Sequence, residues 1–200
     1  MDVLVLESEA GAADSTIEKL TNGAHRIFRC HEPGKPEFPC RALAGEGPCP
    51  LSDPGVDVAV TVRARPDMRP TLREDGVACA LRAHVPLVVA GRDMLNPYEE
   101  WADEVVEDCD VVAACERVVS APSRDHSEVA CDALREVVRR RAGSAGDADA
   151  LVWRDHDRLR VRLEGVDDLD RSSRGLAVAD VAAALRAFDA HIPKIDISFS

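Results

Sequence analysis

Val3-Leu4-Val5-Leu6, close to the start of the chain, is a run of four apolar residues with no polar alternation. A strand with one wet face alternates apolar and polar side chains, so an unbroken run of this length points to a strand covered on both faces, as in a buried parallel sheet. Val56 to Val62 and Pro86 to Ala90 read the same way, His25 to Arg29 is a shorter candidate strand, and Cys109 to Ala114 supplies a fifth. Helical spacing lies between them. Asp14 to Leu20 places Ile17 and Leu20 on one side, and helices are expected over Thr71 to Ala83 and Pro97 to Val106, the latter carrying Tyr98 and Trp101. A last helix is expected over His126 to Arg141, with Val129, Leu134, Val137 and Val138 as its apolar side and Asp125-His126 at its start as an N-cap region. Strands alternating with helices predict an α/β domain over residues 1–141, built on a doubly wound, five-stranded parallel sheet.

Ala142 to Asp149, Ala-Gly-Ser-Ala-Gly-Asp-Ala-Asp, has the composition of a linker. Beyond it the pattern changes. Ala150 to Arg154 and Arg158 to Glu164 form a hairpin across an exposed turn at Asp155-His156-Asp157, and Leu159, Val161 and Leu163 alternate with Arg158, Arg160 and Arg162. A helix over Leu176 to His191, stopped by Pro193, and an alternating strand through Ile195, Ile197 and Phe199 complete a β-β-α-β module over 150–200. About 50 residues bury too little to stand alone, so this module is expected to rest on its neighbours or on a second copy of the chain.

One βαβ unit is irregular. Between the second and third strands, where a helix belongs, residues 30–54 carry six of the 12 prolines and Cys30, Cys40 and Cys49. Proline at that density blocks a long helix, and a long irregular segment inside a compact domain has a function or is disordered. Cys30, Cys40 and Cys49, with His31, supply three soft ligands and an imidazole, the donor set of zinc and iron–sulfur centres. The C-x9-C-x8-C spacing lacks the short knuckle of familiar sites, so a thiol redox switch and inert buried thiols stand beside the metal reading. Cys109 or Cys115 could add a fourth ligand. The apolar anchors expected within the loop are Phe38, Leu43 and Leu51.

The formal net charge is -12, which argues against nucleic acid as a partner, because phosphate binding needs a basic face. The one dense basic run, Arg139 to Arg141, falls at a helix end, where cations suit the dipole. No apolar stretch is long enough to span a membrane, and Met1-Asp2 leads into a strand-sized run rather than a signal sequence. A cytoplasmic address follows, with reduced thiols. Abundant Ala, Arg, Asp and Val suit a bacterial genome rich in G and C. G-x-G-x-x-G, P-loop and G-x-S-x-G signatures are absent.

Val3-Leu4-Val5-Leu6-Glu7-Ser8-Glu9, Val56-Asp57-Val58-Ala59-Val60-Thr61-Val62-Arg63 and Pro86-Leu87-Val88-Val89-Ala90-Gly91 together resemble the first, third and fourth strands of a response-regulator receiver domain, a flavodoxin-like fold. That family works through an acidic pair holding Mg²⁺, an aspartate nucleophile, a hydroxyl residue and a lysine ahead of proline. Here Glu7 and Glu9 stand for the acids. The nucleophile position falls on Val62, or on Thr61 in a shifted register, the hydroxyl position on Ala90 or Gly91, and the lysine position on Ala121 before Pro122. The resemblance therefore implies a pseudo-receiver that keeps the scaffold and has lost phosphotransfer.

The expected function is non-catalytic: a regulatory or partner-binding protein whose Cys-rich loop binds zinc or an iron–sulfur cluster, or senses redox state. The alternatives are a flavodoxin-like enzyme with a site at the carboxyl ends of the strands, near Glu7, Arg63 and Gly91, where Arg63 and Arg65 would favour an anion, and a purely structural subunit.

Overall fold

The computed structural model describes residues 1–32, 34–52, 55–91, 95–155, 158–190 and 194–200. The expected turn at His156-Asp157, the end of the last helix at His191 with its stop at Pro193, and the end of the Cys-rich loop at Asp53-Pro54 lie outside the described residues. The chain divides into two compact units, Met1–Ser120 and Ala121–Ser200. Among the described residues no helix is long and apolar enough to cross a membrane.

The first unit is an α/β sheet protein. Its strands are β1 (Asp2–Glu7), β2 (Arg26–Phe28), β3 (Val58–Val62), β4 (Leu87–Ala90) and β5 (Glu104–Val106), and its helices are α1 (Asp14–Asn22), α2 (Asp75–Arg82) and α3 (Val111–Ser120). The strands lie parallel in the order β2-β1-β3-β4-β5, consistent with a flavodoxin-like fold. Every residue of β1, β3 and β4 is buried, which is why these strands read as unbroken apolar runs.

Alternate residues serve opposite faces. Val3, Val5, Val58, Val60 and Val88 pack with Leu20, Val111, Ala114 and Cys115, the inner sides of α1 and α3. Leu4, Leu6, Ala59, Leu87 and Val89 pack with Val77 and Ala80 of α2 and with Cys30 and Leu51 of the irregular loop. The loop thus covers the sheet where a helix was missing from the sequence pattern, on the same face as α2.

Two elements differ from expectation. The segment expected as a helix over Pro97 to Val106 makes one 3-10 turn, Glu99–Trp101, and then the edge strand β5. Asn96 Oδ1 accepts from the Tyr98 amide at 3.0 Å, a local turn bond that competes with a continuing helix. The segment expected as the fifth strand, Cys109 to Ala114, instead enters α3. A short apolar run fits either state, and this one continues with helical spacing through Val111, Ala114 and Cys115, all buried.

The second unit opens with α4 (Arg124–Ala142), followed by β6 (Asp149–Asp155), β7 (Arg158–Glu164), α5 (Arg171–Phe188) and β8 (Lys194–Phe199). β7 lies between β6, antiparallel to it, and β8, parallel to it. The helix assigned by sequence to the first domain therefore belongs to the second. Its Ala130, Leu134, Val137 and Val138 share a core with Val152, Leu159, Val161, Leu163, Val181 and Leu185. This supplies the cover that residues 150–200 lack by themselves.

The segment 142–149 is not an interdomain linker but a tight connection inside the second unit. Gly143, at φ +79°, closes α4 with its amide on Arg139 O, and Ala148 is fully buried. A buried polar staple holds the helix ends. The Ser123 hydroxyl meets His126 Nδ1 at 2.8 Å, and His126 Nε2 meets Asp189 Oδ2 at 3.1 Å. Many of the unit's arginines are ion-paired. Arg140 binds Glu136 at 2.8 Å, Arg158 binds Asp196 at 2.9 Å and Arg162 binds Glu164 at 2.8 Å, so the arginine-rich strand β7 is a neutralised face.

Candidate metal centre

The carboxyl edge of the first sheet can be built up strand by strand. Glu7, the last residue of β1, stands opposite Val62 of β3, Val62 opposite Ala90 of β4, and Ala90 opposite Val106 of β5. The three positions that the receiver resemblance assigns to acid, nucleophile and hydroxyl thus occupy one row, and at the second and third the side chains are hydrocarbon. The lysine position is corrected. Because β5 ends at Val106, the strand end leads into Val106-Glu107-Asp108, and Ala121-Pro122 belong to the second unit.

The acids at this edge are committed elsewhere. Glu7 turns into its own loop, where Oε2 accepts from the Gly11 and Ala13 amides at 3.1 and 3.3 Å. Gly11, at φ +86°, makes that turn. Glu9 pairs with Arg65 at the surface, and the Ser8 hydroxyl accepts from the Ala64 amide at 3.2 Å.

Arg63 is locked. Its Nε and Nη2 grip Glu74 at 2.8 and 2.6 Å, Nη2 reaches Arg69 O at 2.6 Å, and Nη1 donates to Asp67 O. The pair is 1% and 0% exposed. Hydrogen bonding to Glu74 raises the guanidinium's pKa further above its ordinary value. An arginine with its donors spent in this way is a brace between β3 and α2, not a receptor for an anion, which removes the chief support for the enzyme alternative.

The cysteines stand on the α2 face. Cys30 lies two residues beyond the end of β2 and is buried. The Arg41 amide donates to Cys30 O at 3.0 Å, which folds the loop back and sets Cys40 beside Cys30. The Ser52 amide donates to Cys49 O at 3.0 Å in a turn that buries Leu51. Cys40 and Cys49 are half-buried against the core cluster that contains Cys30. The three loop cysteines therefore lie on the same sheet face, Cys30 within its core and Cys40 and Cys49 against it.

Burial pushes the Cys30 thiol up to about 12, and Cys40, Cys49 and Cys79 push in the same direction. A thiol so disposed is a poor nucleophile, which weighs against a redox switch centred on Cys30. All seven cysteines are free. Among the described residues no three His, Cys, Asp or Glu side chains stand as a group that could hold a metal ion.

His31, the fourth expected ligand, is buried, with neither ring nitrogen hydrogen-bonded among the described residues. Burial and then the charge of Arg73 lower its pKa, which keeps the ring neutral. Asp75, Glu37 and Glu7 act in the opposite direction, and Glu7, Cys30 and Arg73 share a small cavity with it. The ring also lines a cavity of about 90 Å³ inside the loop, beside Lys35, Pro36, Pro39 and Arg41.

Cys115 lies in the core of the opposite sheet face and cannot join the cluster, and Cys109 sits in the exposed turn before α3. One contributor was missed in the sequence, Arg73, which ties the loop to the sheet through Glu7 at 3.6 Å, Glu37 at 3.5 Å and Lys35 O at 3.4 Å. Of the expected anchors only Leu51 is buried, while Phe38 is 56% and Leu43 72% exposed.

No protein-family profile, curated protein or solved structure matches the chain.

Proposed function

We propose that this chain is a non-catalytic regulatory or partner-binding protein of the bacterial cytoplasm. In this reading it is a pseudo-receiver whose Cys-rich loop is held by a thiolate-bound zinc ion or iron–sulfur cluster. The observation that carries the reading is the gathering of Cys30, Cys40 and Cys49 onto the sheet face where the loop stands in for a helix. The residues fit such a group by their chemistry, as soft sulfur donors from a segment with little apolar anchoring of its own. When bound, the centre would supply cross-linking of the loop, and with iron a redox response. The exposed Phe38 and Leu43 lie in the same loop and would be offered to a protein partner, whose docking then depends on the state of the centre.

The pseudo-receiver part rests on the row Glu7, Val62, Ala90. Acyl phosphate formation needs a carboxylate nucleophile, and Val62 has none. Incubation with acetyl phosphate and Mg²⁺ should therefore leave the intact mass of the chain unchanged. A stable phosphoryl adduct would overturn this half of the proposal.

A further inference from the structure

β6 and β8 are the two edges of the second unit's sheet, and an open sheet edge invites another strand. The β6 edge is closed by its own helix. The Ser123 amide donates to Val152 O at 2.7 Å, the Ser127 hydroxyl accepts from the Val152 amide at 3.0 Å, Cys131 Sγ accepts from the Ala150 amide at 3.2 Å, and Arg135 Nε donates to Ala148 O at 3.0 Å. These residues recur every fourth position, so one side of α4 takes up the outward backbone groups along β6.

The β8 edge has no such cover. The Ser200 amide donates to Leu163 O at 3.1 Å and β8 runs parallel to β7, so Ser198 and Ser200 turn their backbone toward β7 while Ile195, Ile197 and Phe199 turn theirs away. Among the described residues nothing bonds these outward groups. The register of β8 is unbroken and the strand contains no proline, so neither a bulge nor a proline blunts the edge. Ile195 and Ile197 are only partly buried against the core, and Phe199 is 41% exposed.

We propose that β8 pairs antiparallel with β8 of a second copy of this chain, joining the two sheets and the rims of their cores in a two-fold dimer. Pairing about Ile197 sets Ile197 opposite its own copy and Ile195 opposite Phe199 of the second copy. All three are residues whose amide and carbonyl point outward, so each pair can exchange both of its backbone bonds. The same register sets Asp196, already held by Arg158 at 2.9 Å, opposite an uncharged serine, Ser198. Pairing about Asp196 would instead oppose two carboxylates, which disfavours it. Because α4 closes the β6 edge, assembly through these strands stops at two copies and does not run on as a fibre.

The test is sedimentation equilibrium of the full chain over a wide concentration range, in reducing buffer so that the exposed Cys79 and Cys109 form no cross-links. The wild type should reach twice the mass of one chain. Amide exchange at Ile195, Ile197 and Phe199 should slow as the dimer fraction rises, while exchange at Ser198, bonded within the chain, should not change with concentration. Phe199→Lys puts a charge opposite Ile195 of the second copy and should raise the dissociation constant at least about tenfold. Ile197→Pro removes a donor that no bond within the chain uses, and should be monomeric with wild-type circular dichroism. If Ile197→Pro fails to fold, Phe199→Lys and the exchange rates decide the matter. A dimer that survives in folded Phe199→Lys with concentration-independent exchange at the β8 amides overturns the proposal. So does a wild-type chain that stays monomeric, whether the edge then takes another protein's strand or none.

Discussion

Glu74→Ala should unfold the first unit at much lower urea than the wild type, a loss of about 3–5 kcal/mol. The size follows from what is left behind. Glu74 is fully buried and meets Arg63 through two parallel bonds of 2.8 and 2.6 Å. Its Oε2 also accepts from the Thr71 amide at 2.9 Å and hydroxyl at 3.1 Å. Removing the carboxylate strands a guanidinium inside the protein with only backbone carbonyls for partners, and it uncaps the turn that starts α2. Glu74→Gln keeps the shape and part of the hydrogen bonding, so its loss should be intermediate.

The two tryptophans make the effect local to read. Trp101 lies in the first unit and Trp153 in the second. Urea unfolding of Glu74→Ala followed at Trp101 in a Trp153→Phe background should shift strongly, while Trp153 in a Trp101→Phe background should report an unchanged transition. An unshifted midpoint at Trp101 would mean that Arg63 finds other compensation.

The second large effect concerns the loop. Ordering roughly 20 residues of irregular backbone costs about 1–2 kcal/mol each. Leu51 is the one expected anchor that is buried, and a fully buried leucine returns about 1.5–3 kcal/mol. Prolines lower the cost by restricting the unfolded chain, and Arg73 adds its ties to Glu37 and Lys35 O. Structural zinc on thiolates contributes on the order of 10 kcal/mol, more than any single anchor in the loop.

Chelation of the anaerobically purified chain should therefore free the loop, seen as fast tryptic cleavage after Arg41, where the native chain resists. Cys30→Ser should be cleaved at the fast rate with or without chelator. Equal, slow cleavage in all samples would show that the protein holds the loop by itself.

The parts of this fold that are plain in the sequence are those where burial is symmetric. β1, β3 and β4 are covered on both faces, so their buried residues read as apolar runs without the alternation of a half-wet strand. The stretch from Cys109 to Ala114 shows the weakness of the same signal, because five or six apolar residues suit a helix facing a sheet as well as a strand inside one. α4 shows another. Its apolar stripe, Leu134, Val137 and Val138, specifies that a partner exists without saying which sheet supplies it.

At the candidate site, the irregular loop was legible because prolines and thiols concentrate where a helix should be. The close approach of Cys30 to α2 was not, since it arises from the fold that places the helix beside the loop, although Gly76 is the kind of residue that admits a close neighbour. Phe38 and Leu43 were misjudged because an apolar side chain in a loop carries no information about whether anything covers it.

The most direct test of the central claim is elemental analysis of the anaerobically purified full chain, combined with X-ray absorption at the edge of whatever metal it carries. About one zinc ion or iron–sulfur cluster per chain, bound to the protein through sulfur alone and lost in Cys30→Ser, is the predicted result. A metal-free chain that folds with wild-type stability, or a metal bound through nitrogen and oxygen with Cys30 dispensable, would contradict it.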